Sequence, residues 1–183
     1  MRLFVGLPLA SEVLKELSEA VARLKAPHDG LRWTMPETWH ITLQFLGNTD
    51  QKHGDCALAR LAEIHAGPVQ VQLGELGFFD RAGVFFVDVV PSPDLVALAE
   101  KVTVATGKCG FLTESRPYHP HITLARAKGE GRGRPLKALQ YRVPQGRRFT
   151  GFRATEFLLY ESHTLPEGAK YEVRGRFALG TAG

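Results

Sequence analysis

An α+β fold of two similar lobes, held in one domain with a cleft between them, follows from three features of this chain. It repeats itself, each copy mixes strand and helix signals, and no stretch between the copies is long or polar enough to serve as a linker. The repeat is plainest at His40-Ile-Thr42-Leu, which recurs as His121-Ile-Thr123-Leu, an offset of 81. The same ungapped slide pairs Phe4 with Phe85, Ser11 with Ser92, Leu14 with Leu95, Leu17 with Leu98 and Glu19 with Glu100. It also pairs Val21 with Val102, Leu31 with Leu112 and Pro36 with Pro117. The copies run over approximately 3–47 and 84–128 of a single domain, 1–183.

Leu3-Phe-Val and Val84-Phe-Phe-Val are apolar, aromatic and β-branched, and read as buried strands. The opening Met1–Ala10 has a faint leader-like look, but Gly6 and Pro8 interrupt it and no small-x-small cleavage site follows, so it is read as the first strand. Ser11 and Ser92 stand where helix N-caps belong. Behind them, positions 14, 17, 21 and 95, 98, 102 each share one helix face. A short strand near Leu31–Thr34 then leads through Pro36 into the His-x-Thr strand, which ends at Gly47-Asn48. Each copy is therefore expected to run strand, helix, short strand, His-x-Thr strand. Between the copies, Cys56–His65 reads as a helix stopped by Gly67-Pro68. Val69–Phe79 and Gly83–Val90 read as a hairpin about Asp80-Arg-Ala-Gly. Thr155–Tyr160 and Tyr171–Leu179 read as closing strands.

Composition narrows the class. At 183 residues, 44% hydrophobic and 23% charged, the chain can bury a sizeable core without disulfides or metals. Its two cysteines, Cys56 and Cys109, form no framework and no Cys-rich zinc site, and suit a reducing cytoplasm. The longest apolar run, Leu95–Ala99, falls far short of the roughly 20 residues of a membrane helix, so no membrane partner is expected. Basic charge is concentrated between Arg126 and Arg153, where nine basic residues face one acid, Glu130. Lys128-Gly-Glu-Gly-Arg-Gly-Arg suits a surface loop near a phosphate-bearing ligand, or simply a solvated loop.

Residues two apart on a strand share a face, so His40 and Thr42 point one way while Ile41 and Leu43 enter the core. The same holds for His121 and Thr123 over Ile122 and Leu124. A pseudo-twofold axis would turn both His-Thr pairs into one cleft. One imidazole can then take a proton from water while the other, protonated, delivers one to a leaving oxygen. The threonine hydroxyls can bond oxygens on which negative charge builds up. That set suits a phosphodiester whose reaction needs no metal, and a strained five-membered 2′,3′-cyclic phosphate is one such substrate.

His40-Ile-Thr-Leu-Gln-Phe-Leu-Gly, Pro117-Tyr-His-Pro-His-Ile-Thr-Leu-Ala-Arg126 and Leu159-Tyr-Glu-Ser162 together resemble the 2H phosphoesterase superfamily, most closely its RNA 2′,3′-cyclic phosphodiesterase (2′-5′ RNA ligase) branch. The resemblance covers nearly the whole chain. It implies the bilobal 2H fold, two pseudo-symmetric lobes each with a mainly antiparallel sheet and helices, hydrolysis of a terminal 2′,3′-cyclic phosphate to a 2′-phosphate, and a weak, reversible, ATP-independent 2′-5′ joining activity. It implies that His40 is the acid toward O3′, that His121 is the base toward water, and that Thr42 and Thr123 hold the phosphate. It further implies Arg126 as a phosphate contact and Phe45 as an aromatic beside the nucleobase. Strict alternation turns 45 and 126 away from the cleft, so a bulge or strand end is required there. Trp39 stands where the family has an aliphatic residue. The partners implied are RNA ends or nucleotides carrying the cyclic phosphate, transfer RNA halves among them. A site completed within one chain makes a monomer the expected state.

Two rival readings remain. His119-Pro-His121 has metal-ligand spacing, which would make a metallohydrolase, although Thr38 replaces His119 in the first copy and no carboxylate lies near either motif. The basic segment with Tyr141, Phe149 and Phe152 as stacking platforms would make a non-catalytic RNA-binding module, which leaves the doubled His-x-Thr unexplained.

Overall fold

Two four-stranded sheets dominate the computed structural model, which describes residues 1–129, 133–166 and 168–180. In chain order the elements are β1 (Arg2–Pro8), α1 (Ser11–Leu24), β2 (Leu31–Trp33), a 3-10 turn (Pro36–Thr38), β3 (His40–Asn48), α2 (Gln51–Ala62), β4 (Val69–Val71), β5 (Leu73–Phe79), β6 (Val84–Val89), α3 (Pro93–Gly107), β7 (His121–Ala127), α4 (Gly133–Gln140), β8 (Phe152–Ala154), β9 (Glu156–Leu165) and β10 (Gly168–Ala178). One sheet has the order β10-β9-β1-β3 and the other β2-β7-β6-β5, while β4 and β8 form a separate pair. Every pairing is antiparallel. One apolar cluster runs from Leu3 through Ile41, Leu98, Ile122 and Leu136 to Leu179, so both halves share a core. Among the described residues, no helix is long and apolar enough to cross a membrane.

The short strand β2 does not stay with its own half: it pairs with β7, Arg32 opposite Arg126. Its expected counterpart near Leu112 does not form; Leu112 is 88% exposed and the chain from 111 to 120 is irregular. The segment Thr113-Glu-Ser-Arg116 has no apolar alternation to bury, so nothing holds it as a strand.

Other expectations need correction. Ser92 caps α3, accepting from the Leu95 amide at 3.3 Å, with Pro93 fixing the first turn. Ser11 caps nothing: Ala10 takes the cap position of α1 with no side-chain bond. The helix placed at Cys56–His65 starts five residues sooner, because Asp50 caps it by accepting from the His53 amide. The strand expected at Val69–Phe79 breaks at Gln72, whose side-chain amide donates to the carbonyls of Leu73 and Phe149. That break lets β4 leave the hairpin and pair with β8.

The loop expected at Lys128–Arg134 lies partly outside the described residues; from Gly133 the chain is helical, with Leu136 and Leu139 buried. The reading of the two cysteines as thiols suited to a reducing compartment needs correction: Cys56 and Cys109 are joined in a disulfide, their Cα atoms 5.9 Å apart. Packing of α2 on α3 brings them together, which their spacing of 53 in the chain does not reveal.

Candidate active site

Both His-x-Thr motifs begin a strand, β3 and β7, and both carry a bulge at the same place. Gly6 opposes Thr42 and Val5 opposes Gln44, leaving Leu43 extra. Phe86 opposes Thr123 and Phe85 opposes Ala125, leaving Leu124 extra. Leu43 and Gln44 are consequently both buried, as are Leu124 and Ala125, and alternation resumes one residue late. Phe45 therefore emerges on the same face as His40 and Thr42, and Arg126 on that of His121 and Thr123. Phe45 is 55% exposed and its ring lies 6.1 Å from Phe4, so it is no core aromatic.

The two histidines are oriented alike. Nδ1–H of His40 donates to the Thr38 carbonyl at 2.8 Å, and Nδ1–H of His121 donates to the His119 carbonyl at 2.8 Å. A carbonyl can only accept, so the proton is on Nδ1 and the Nε2 lone pair is left for chemistry. The Thr42 hydroxyl, 3.1 Å away, donates to Nε2 of His40.

Each imidazole rests on aromatic rings. Phe4 stacks on Tyr160 and lies 4.5 Å from His40, with Tyr171 edge-on to the histidine at 5.3 Å. Phe79 stacks on Phe86 and the pair stands edge-on to His121 at 5.1 and 5.4 Å. Burial among these rings pushes His40 down to about 4, the bond to Thr38 opposing and the His121 charge assisting. Burial likewise lowers His121; its bond to His119 opposes this, the charges of His119 and Arg126 add to it, and Asp88 opposes it. Arg126 also bears on the Tyr171 hydroxyl of the other sheet, as does Arg2. His40, His121 and Arg126 are thus within electrostatic reach of one another across the space between the sheets.

Two side chains tie the halves together beside this space. Tyr118, just before His121, donates to the Thr42 carbonyl at 2.9 Å. Thr34, on the path to His40, lies 2.9 Å from the Thr123 and Leu124 carbonyls and accepts from the Trp39 indole at 2.8 Å. Each approach segment thereby grips the opposite His-x-Thr strand. Sequence reasoning missed Tyr118, Thr34, Tyr160, Tyr171, Phe79 and Phe86. The Pro117-Tyr dipeptide was the one available signal for Tyr118; the others follow only from register.

Neither rival reading gains support. Contrary to expectation a carboxylate does lie beside the second motif, Asp88, 2.9 Å from Nε2 of His119, yet among the described residues His119 and His121 join no trio of metal-capable groups. The one such trio among the described residues is Glu161, His163 and Glu172, whose two carboxylates lie 3.4 and 3.5 Å from Arg174. Of the three aromatics offered for stacking, Phe149 and Phe152 are buried and only Tyr141, 92% exposed, is free to do so.

The family model described as the 2′-5′ RNA ligase superfamily matches residues 10–163. A Bacillus subtilis protein named RNA 2′,3′-cyclic phosphodiesterase is 30% identical over 181 residues, covering 96% of this chain and 95% of its own. An Escherichia coli protein of the same name is 29% identical over 180 residues, covering 97% and 96%. Among solved structures, TT0787 of Thermus thermophilus superposes with a TM-score of 0.76 at 27% identity, covering 99% of this chain and 100% of that one. Escherichia coli LigT complexed with 3′-AMP superposes at 0.79 with 24% identity over 97% of both chains, a likeness of fold.

Proposed function

This chain belongs to the 2′-5′ RNA ligase superfamily, and we propose that it is an RNA 2′,3′-cyclic phosphodiesterase, working by two-histidine acid–base catalysis from one domain, 1–183. The observation that carries the reading is the pair of His-x-Thr motifs with identically fixed tautomers, both Nδ1–H groups tied to the carbonyl two residues back.

Water attacks phosphorus as Nε2 of His121 takes its proton. The P–O3′ bond breaks as Nε2–H of His40 protonates the departing oxygen, leaving a 3′-hydroxyl and a 2′-phosphate. Thr42, Thr123 and Arg126 bond the non-bridging oxygens as charge grows there, and Phe45 lies against the terminal base. Arg126 favours a neutral His121, as a base requires, while the bound phosphate anion raises His40 from its depressed value and draws a proton onto it. Protonation of His40 also releases the Thr42 hydroxyl for the substrate. With a 5′-hydroxyl in place of water, the same bond changes give a 2′-5′ linkage, which needs no ATP. We take the acting unit to be a monomer in the cytoplasm; RNA ends of any origin, transfer RNA halves included, present the same group.

The test uses EDTA-treated protein and an oligoribonucleotide ending in a 2′,3′-cyclic phosphate. Wild type should yield only the 2′-phosphate, and His40→Ala and His121→Ala should each lower kcat by at least about 100-fold. A 3′-phosphate product, or activity abolished by EDTA and restored by zinc, overturns the mechanism.

A further inference from the structure

Arg32 and Arg126 face each other directly across the β2–β7 pair, so their side chains share one side of the sheet. That side is the one carrying His121 and Thr123, because the bulge at Leu124 brings Arg126 back to it. Both arginines are exposed, and among the described residues neither forms an ion pair. Like charges directly opposite one another destabilise a sheet. Paired with no carboxylate among the described residues, the two guanidiniums form a site for more than one negative charge.

Under the phosphodiesterase reading, on which this inference rests, Arg126 takes the cyclic phosphate. The next anion on an RNA end is the phosphodiester that joins the terminal nucleoside to its 5′ neighbour. β2 is the edge strand of its sheet, so Arg32 lies outward from Arg126, away from β6. A chain leaving the cleft over that edge passes Arg32 first. We propose that Arg32 binds this second phosphate and makes the enzyme select cyclic phosphates at the end of a polynucleotide over those of free mononucleotides. A guanidinium suits the task because its planar fork grips phosphate oxygens in pairs.

The experiment compares two dinucleotides that end in a 2′,3′-cyclic phosphate and differ only in the link between their nucleosides, a charged phosphodiester in one and an uncharged methylphosphonate in the other. In wild type, removing the charge should lower kcat/KM about tenfold or more, through KM, as expected for one charge-assisted contact. Arg32→Gln should erase that preference, Arg32→Lys should keep part of it, and the salt dependence of KM for the charged substrate should become shallower by ~0.7 in log–log slope in Arg32→Gln. Wild type indifferent to the link, or Arg32→Gln still discriminating as wild type does, overturns the assignment of Arg32 alone. A wild type that opens neither substrate overturns the phosphodiesterase reading and this inference with it.

Discussion

Two imidazoles of unequal surroundings are expected to set the pH behaviour. Under the proposed two-histidine mechanism the productive form has His40 charged and His121 neutral, and kcat/KM reports the free protein. There, burial holds His40 at about 4 and keeps His121 below its ordinary 6.5. Between about pH 4 and the lowered value of His121 the free protein carries one proton, mostly on His121; the productive arrangement, with that proton on His40, is a minor member of the same singly protonated population and is lost with it at higher pH. A bell-shaped kcat/KM profile with its alkaline limb below pH 6.5 is expected, and a kcat bell displaced upward because the bound anion favours the proton. An alkaline limb of kcat/KM at about pH 8 or above, or a flat profile, counts against the two histidines as the titrating pair. The histidines themselves were legible in the sequence because they recur in register. Their depressed pKa values were not, since these come from Phe4, Tyr160, Phe79 and Phe86, which are scattered along the chain.

Strand register decides which of those rings meets a histidine. The ungapped offset of 81 equates Phe4 with Phe85, yet Phe4 packs against His40 while Phe85 is wholly inside the core. Opposite the catalytic strands, Gly6 stands to Thr42 as Phe86 stands to Thr123, and Leu7 to Ile41 as Val87 to Ile122. The first strands of the two copies thus correspond at an offset of 80, and a slip of one residue exchanges the faces. Gly6 itself holds β1 close: a Cβ there would lie 2.9 Å from the Ile41 carbonyl oxygen and 3.3 Å from the His40 ring. Gly6→Ala should lower kcat about tenfold or more by displacing that imidazole. Gly67→Ala, where the added carbon meets nothing within 4 Å, should not. Equal kcat in the two variants would remove Gly6 from any positioning role.

Across the whole molecule, the two His-x-Thr strands are held by reciprocal bonds, Tyr118 to the Thr42 carbonyl and Thr34 to the Thr123 and Leu124 carbonyls. Tyr118→Phe removes one such bond without changing the shape of the core. Its loss should cost about 1 kcal/mol, or ~2–4 °C in Tm for a chain of this size, together with a fall in kcat at little change in KM. A variant with the Tm of wild type would show that the bond adds nothing to the joining of the halves. The crossing of β2 onto β7 belongs to the same scale, and it is what sets Arg32 beside Arg126.

Local pattern by itself determined the first strand, the helix and the His-x-Thr strand of each copy, and the outward pair His40 and Thr42 with its twin His121 and Thr123. These depend on residues near one another in the chain, whose periodicity is visible without a fold. The need for a break in alternation before 45 and 126 came only with the family resemblance. Only the tertiary structure decided that the break is a bulge at Leu43 and Leu124, that the second copy lacks its short strand, that Cys56 meets Cys109, and that Tyr118 reaches Thr42. Those outcomes depend on which strand edge is free and which side chains arrive from distant segments. Such choices are made by packing, because many registers satisfy the same alternation and only one buries the core.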